Sequence, residues 1–92
     1  MLNPSVLKTV KSKIHVLSVP DFKFQQFLNG NHNYDIRDKN TGYLIGDYIL
    51  YQEKNMSFKY TGRSLYKIIS SVVEDSRILN DGCVILGFSR RL

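Results

Sequence analysis

The residues best equipped for chemistry lie in one short stretch of this sequence, between positions 30 and 37. Tyr34 and Ile36 alternate there with Asp35 and Arg37, a pattern typical of a strand with one polar face. Asp35 and Arg37 therefore share a face, where the guanidinium would offer a planar fork to a phosphate group or a base edge. The carboxylate would orient that fork or accept a hydrogen bond from an exocyclic amine.

Two residues at the entrance of this strand extend the candidate site. Gly30 follows an apolar helical pattern and permits the left-handed backbone that ends many helices. His32 has the opposite strand parity but lies where parity is loose, and it could act as an acid or base near neutral pH. The structural alternative is an Asp35–Arg37 ion pair of small energetic value if exposed, with His32 only closing the helix end. The residues expected to bind a ligand are Gly30, His32, Asp35 and Arg37, and no catalytic residue is assigned.

The charge and the aromatic content indicate the class of partner. Thirteen Lys and Arg residues stand against eight Asp and Glu, which gives a net charge of +5 and favours polyanionic partners. Six tyrosines are more than so small a core can hold, and exposed tyrosines beside cations suit stacking on single-stranded bases. Tyrosine and arginine are also enriched at protein interfaces. The expected phosphate contacts are Lys39, Arg63 and Lys67.

Other classes of site lack their motifs in this sequence. No set of His, Cys or carboxylate residues has the spacing of a metal site, and no glycine-rich phosphate loop continues into Lys-Ser or Lys-Thr. Cys83 is the one cysteine, which excludes an internal disulfide. No stretch approaches the ~20 apolar residues of a membrane span, and the N-terminus lacks a signal-peptide pattern. We therefore expect no metal, no cofactor, no membrane partner and a cytoplasmic location.

The elements that must position the site are one short helix and about five strands. Ser70-Ser71 indicates a bulge or a corner within the longest strand, and Thr61-Gly62 indicates a turn before it. Phe22, Phe24, Phe27 and Phe88 are expected in the core. The predicted ranges are a strand over 13–19, a helix from Pro20 to Gly30, and strands over 32–38, 48–53, 63–73 and 83–88.

These elements predict a single domain over residues 1–92, mostly β with one short helix. The number of strands exceeds what a flat sheet of this size could cover with one helix, so a small, partly closed β-barrel is the economical arrangement. Residues 1–12 contain few bulky side chains in register, and we expect them to form a flexible arm.

The order of several short motifs resembles that of the ASCH superfamily, whose domains have a PUA-like barrel. The resemblance covers residues 13–88 and points to a small subfamily of uncharacterised function common in bacteria and their phages. Residues 30–37 lie at the family's GxKxxExR motif, Gly46-Asp47 at its VGD step, and residues 60–63 at its YTGR hairpin. The resemblance implies a PUA-like barrel and, at the motif, an RNA-binding groove.

Two positions depart from that motif. His32 stands at its Lys and Asp35 at its Glu, whereas Gly30 and Arg37 are retained. Some relatives hydrolyse the acyl amide of an acetylated cytidine, for which the resemblance implies a Lys and a Thr in this motif and a distant Glu. Since His32 and Asp35 occupy the two motif positions, the resemblance argues against a simple transfer of this activity.

We therefore expect a small ASCH-like domain that binds single-stranded or structured RNA through the groove at the motif, without catalysis. The first alternative is a phage-type protein-binding module that inhibits or modulates a host protein, which the small size, the tyrosine content and the altered motif favour. The second alternative is an amide hydrolase acting on a modified nucleoside, which the superfamily resemblance alone supports.

Overall fold

The structure, a computed structural model, describes residues 11–75, 77 and 81–90. Residues 1–10 of the expected arm lie outside the described residues. The prediction of a mostly β domain with one short helix is confirmed. The elements are β1 (Ile14–Pro20), helix α1 (Asp21–Leu28), β2 (Tyr34–Asp38), a 3-10 helix (Lys39–Thr41), β3 (Tyr48–Lys54), β4 (Tyr60–Val73) and β5 (Cys83–Phe88).

The five strands form one sheet in the order β1, β3, β4, β5, β2. β1 pairs with β3 in parallel, and the other three pairs are antiparallel. A parallel pair needs a crossover connection, and the segment between β1 and β3 supplies it while carrying β2 to the far side of the sheet. Among the described residues the sheet is not closed, because β1 and β2 are its two edges.

β4 joins the two halves of the sheet because it is long and interrupted by a bulge. Its first half pairs with β3 and its second half with β5. The register against β5 shifts between Ile69 and Ser71, so of the bulge or corner predicted at Ser70-Ser71 the structure has the bulge. A bulge bends its strand and increases the local twist, which lets one strand belong to two differently oriented ladders.

The turn between β3 and β4 lies earlier than the sequence indicates. The chain reverses over residues 55–58, where the Phe58 N–H donates to the Asn55 carbonyl at 2.9 Å, and β4 begins at Tyr60. The turn predicted at Thr61-Gly62 is therefore wrong. Gly62 has a φ of +90° and lies where the β3–β4 register shifts, so this glycine provides left-handed backbone inside a strand.

The core lies between α1 and the sheet. α1 packs against β1 and β3 and buries Phe24 and Phe27. The Phe27 ring centroid lies 4.6 Å from that of Tyr51 and 5.9 Å from that of Phe88, which joins both halves of the sheet to the helix. Phe22, expected in the core, is 72% exposed, because two residues along a helix turn a side chain about 200° away from Phe24.

Candidate functional site

The polar centre of the molecule is the carboxylate of Asp35, whose side chain has no solvent exposure. Its Oδ1 accepts hydrogen bonds from Lys23 Nζ at 2.5 Å and from the Ile36 N–H at 3.0 Å. Its Oδ2 accepts from Arg37 Nε at 2.7 Å and from the Tyr51 hydroxyl at 2.6 Å. The four donors use all of the lone-pair sites of the carboxylate. We call Lys23, Asp35, Arg37 and Tyr51 the Asp35 cluster.

Three elements assemble the Asp35 cluster. Lys23 lies on α1, Asp35 and Arg37 lie two residues apart on β2, and Tyr51 lies on β3. The Lys23 ammonium is 5.6 Å from the Phe27 ring centroid, and the Arg37 guanidinium is 5.9 Å from the Tyr51 ring centroid. The prediction that Asp35 and Arg37 share a face is confirmed. Their ion pair is not exposed, because its carboxylate is buried.

The hydrogen bonds of this cluster fix its charge state at neutral pH. Burial alone would raise the pKa of Asp35, but the bonds from Lys23, Tyr51 and Arg37 outweigh burial and hold that pKa below its ordinary value. Burial works to lower the pKa of Arg37, and the bond to Asp35 raises it more. Burial and the neighbouring carboxylate raise the pKa of Tyr51, so this phenol stays protonated and remains a donor.

His32 belongs to a different set of contacts from Asp35. Its ring stacks on the Tyr34 ring at a centroid distance of 4.3 Å and an angle of 27°, and it meets the Phe27 ring edge-on at 5.3 Å. Its backbone N–H bonds to the Gln26 carbonyl at 3.3 Å, so His32 also closes the helix end. Tyr34 is 49% exposed, which leaves an aromatic pair at the surface of the motif.

A cleft of about 550 Å³ lies at the C-terminal end of α1. It adjoins the aromatic pair through Phe27, whose ring contacts His32, and through Asn33, which lies between the two in the chain. We call it the motif cleft and define it by Gly30, Asn33, Lys67 and Arg90. Gly30 has a φ of +74°, as predicted for the residue that follows the helix. Lys67 Nζ donates to the Phe27 carbonyl at 3.3 Å, which places a cation at the negative end of the helix dipole. Its described lining contains two cations and no acidic side chain.

The three predicted phosphate contacts lie in three different places. Lys67 lines the motif cleft, where burial lowers its pKa. Lys39 is exposed in the 3-10 helix, and its backbone N–H donates to the Gly82 carbonyl. Arg63 lies 3.6 Å from Glu53 Oε1, and its guanidinium is 4.8 Å from the Phe24 ring centroid, so part of this cation is already engaged.

A second buried carboxylate, Asp47, has a structural role. Its side chain accepts from His15 Nε2 at 2.8 Å and from the backbone N–H groups of Lys13 and Leu44, both at 3.1 Å. Burial would raise the pKa of Asp47, but the His15 bond and the two backbone bonds lower it. These contacts tie the turn before β3 to the start of β1, which explains the Gly46-Asp47 step in the sequence.

An apolar cleft of about 660 Å³ lies at the opposite end of α1, between the start of the helix and the β3–β4 turn. Phe22, Met56 and Phe58 line it and are 72%, 88% and 83% exposed. Phe58 also has a φ of +60°, an unusual backbone conformation for a bulky residue. We call this surface the apolar cleft.

Sequence reasoning missed Lys23, Tyr51 and Arg90 as site residues. Lys23 and Tyr51 reach Asp35 from positions 12 and 16 residues away in the chain, through packing of α1 on the sheet. The alternation within β2 finds Asp35 and Arg37 but carries no signal for such distant partners. Arg90 follows the last predicted strand, and only the position of α1 places it beside Gly30.

The described residues show no candidate metal site and no candidate membrane span. They contain no group of three or more His, Cys, Asp or Glu residues placed to hold a metal ion. Within the same residues, no helix is long and apolar enough to cross a membrane.

Comparison with known proteins identifies one family, whose match begins and ends with the first and last strands of the fold. A search of curated proteins found no significant match. The family model for a domain of unknown function, DUF3850, matches residues 14–88, from the first residue of β1 to the last residue of β5. The match includes the Asp35 cluster, the His32–Tyr34 pair and most of the motif cleft. The chain therefore belongs to the DUF3850 family.

Proposed function

We propose that this protein is an ASCH-like domain with a PUA-like fold that binds RNA, unpaired in the bound region, at the motif cleft. The observation that carries the proposal is an exposed stacking pair next to a cationic cleft. Tyr34 is half-exposed with His32 stacked beneath it, and Lys67 and Arg90 line the neighbouring cleft. A cytoplasmic location is part of the same proposal.

This arrangement fits the two contacts that a single strand needs. An unpaired base offers a flat face, which stacks on an exposed aromatic ring with little dependence on base identity. The adjoining phosphates are attracted by cations, and the net charge of +5 adds a longer-range attraction. Phe27 connects the two parts, because its ring contacts His32 and it also lines the motif cleft.

Replacing the exposed aromatic ring tests the proposal directly. We expect Tyr34→Leu to weaken binding of an unstructured RNA of roughly ten nucleotides by about 1–3 kcal/mol, because a stacked base loses its aromatic platform. Fluorescence anisotropy with end-labelled RNA measures the dissociation constant. Tyr60→Leu is the matched control, since Tyr60 is also exposed but lies at the β3–β4 hairpin end, stacked under Lys54.

Equal losses in the two tyrosine variants would contradict a site at the motif cleft. The wild-type protein should also bind the single strand more tightly than the same sequence in a duplex, since paired bases do not expose their faces. A preference for the duplex would contradict the stacking part of the proposal.

The apolar cleft favours the alternative of a phage-type module that binds and modulates a host protein. Phe22, Met56 and Phe58 present side chains of the kind that anchor protein interfaces. This alternative predicts a stoichiometric protein complex that survives high salt and is lost in Met56→Ser. Recovery of RNA alone with the wild-type protein would contradict it.

The amide hydrolase alternative has one new observation in its favour. His32 stands at the lysine position of the motif and stacks on Tyr34, so the motif itself supplies no lysine ammonium group. Lys23, on the helix, brings an ammonium group to Asp35 instead. Incubation with acetylated cytidine tests this alternative, and absence of turnover would contradict it.

A further inference from the structure

The Asp35 cluster has the composition of an anion receptor. Lys23 and Arg37 bind the two oxygens of one buried carboxylate, so their cationic groups are held close together. The side chain of Lys23 is 27% exposed and that of Arg37 is 25% exposed, whereas that of Asp35 is fully buried. Both cationic side chains are therefore partly exposed, while the carboxylate that they share is buried.

Both cations keep donors for a ligand. A lysine ammonium has three N–H groups and a guanidinium has five. Each gives one of them to Asp35, and within the described residues no other acceptor bonds to the Lys23 ammonium or the Arg37 guanidinium. Arg37 uses its Nε, so its terminal edge, with both Nη atoms, is left for a bidentate contact. That edge matches two oxygens of a phosphate group.

The charge of the cluster selects the kind of ligand. Two positive side chains against one negative side chain leave one positive charge, which a singly charged anion neutralises. Asp35 cannot take a further cation, because its oxygens already accept four hydrogen bonds. An internucleotide phosphate diester carries a single negative charge and two free oxygens, and it fits both requirements.

We propose that Lys23 and Arg37, held on Asp35, form a receptor for one phosphate diester of the bound RNA. This inference rests on the proposed function for its source of phosphate. It adds a contact that lies apart from the motif cleft and is joined to it through Phe27, whose ring contacts Lys23 and which lines that cleft. A bound strand would then place a base on Tyr34 and a phosphate on the Asp35 cluster.

A titration with dimethyl phosphate tests the receptor without RNA. This probe is a phosphate diester with one negative charge and no base to stack. We expect a saturable change in the NMR signal of the Arg37 Nε–H group in the wild-type protein. An unchanged signal at the highest probe concentration would overturn the proposal, and this outcome requires no variant to fold.

A matched pair of variants then tests the receptor with RNA. Lys23→Gln removes the charge but keeps a donor for Asp35, and Lys54→Gln removes a charge at the β3–β4 hairpin end. We expect Lys23→Gln to weaken RNA binding about tenfold and to lower the slope of log K against log salt by about 0.7. Lys54→Gln should leave both quantities unchanged, and equal effects would overturn the proposal.

The two experiments also separate this inference from the proposed function. A response to dimethyl phosphate without RNA binding would support the receptor and contradict the RNA proposal. Tight RNA binding that is unaffected by Lys23→Gln would support the RNA proposal and overturn the receptor. The dispersion of the NMR spectrum confirms in each case that the variant is folded.

Discussion

Asp35 is a buried charge in a domain whose small size leaves little apolar core to compensate for it. An isolated carboxylate at such a position would be strongly unfavourable. Here its desolvation is offset by Lys23, Arg37, Tyr51 and one backbone N–H. Removing a single partner from a buried ion pair is far more damaging than replacing the whole pair, so this residue should be sensitive to changes around it.

The Tyr51 hydroxyl gives a prediction about acid stability. Because the pKa of Asp35 is lowered in the folded protein, its contribution to stability is present at neutral pH and is lost as the pH falls below about 4. Tyr51→Phe removes one donor, so the pKa of Asp35 in the folded protein should rise toward its unfolded value, and the acid-dependent loss of stability should become smaller and end at a higher pH. We also expect a decrease of about 1–3 kcal/mol in the free energy of unfolding at pH 7.

Denaturant unfolding across the acid range measures both effects. Tyr66→Phe is the control, because Tyr66 is 43% exposed and contacts Tyr48 through its ring. Identical pH profiles for Tyr51→Phe and the wild-type protein would contradict the role assigned to the Tyr51 hydroxyl. Asp47 also has a lowered pKa, so part of the acid loss should remain in every variant.

The site residues differ in how far the sequence could predict them. Alternation is a local property, and it correctly places Asp35 and Arg37 on one face of β2. The partners Lys23 and Tyr51 depend on packing between α1, β2 and β3, which no spacing within one element encodes. For His32 the sequence leaves two roles open, ligand binding and closing the helix end. The structure shows a backbone N–H that closes the helix end and a ring that stacks on Tyr34, and neither contact is encoded by local spacing.

At the scale of elements, β4 decides the shape of the sheet. It has 14 residues and pairs with β3 and β5 through different parts of its length. Two irregularities interrupt it, one near Gly62 and one at Ser70. The sequence predicts an irregularity at the second, because two serines within a β-branched run indicate a bulge or a corner, but it predicts a turn at the first.

Gly62 explains that error in physical terms. A glycine signals a backbone with positive φ, which occurs both in turns and in bulges. The pairing of Lys54 with Tyr60 is what extends β4 beyond Gly62, and that pairing is a contact between strands. A local signal therefore identified the backbone conformation correctly without identifying the element.

The conformation of Gly62 gives a prediction about stability. Its φ is +90°, and a Cβ atom there would meet no other atom within 4 Å. Gly62→Ala should therefore lower the free energy of unfolding by about 1–2 kcal/mol through backbone strain alone. Denaturant unfolding measures the change, with Ser64→Ala as the control at a regular, exposed position of the same strand. A Gly62→Ala protein as stable as the control would refute the strained backbone.

At the scale of the whole molecule, the two ends of α1 carry surfaces of different chemistry, one cationic and one apolar. The C-terminal end carries the motif cleft with its two cations, and the N-terminal end carries the apolar cleft. The composition predicted a basic protein with exposed tyrosines, and four of the six are exposed. It could not predict their distribution, because the position of each surface follows from the sheet order.

The order of the strands in the sheet could not be predicted from the sequence. Five strands and a helix are predicted correctly, and so is the class of the fold. The sequence does not specify which strands are neighbours, because the parallel pairing of β1 with β3 carries β2 to the opposite edge. That crossover is also what presents Asp35 to both Lys23 and Tyr51.

The central claim is that RNA binds at the motif cleft, and a salt titration tests it most directly. The measurement is the affinity for unstructured single-stranded RNA between roughly 50 mM and 200 mM salt, for the wild-type protein, Arg90→Ala and Lys59→Ala. Both variants lose one exposed cation, but only Arg90 lines the cleft. We predict a steep salt dependence that is reduced by about 0.7 in slope for Arg90→Ala alone. Equal slopes for the two variants, or no binding at the lowest salt, would contradict the claim.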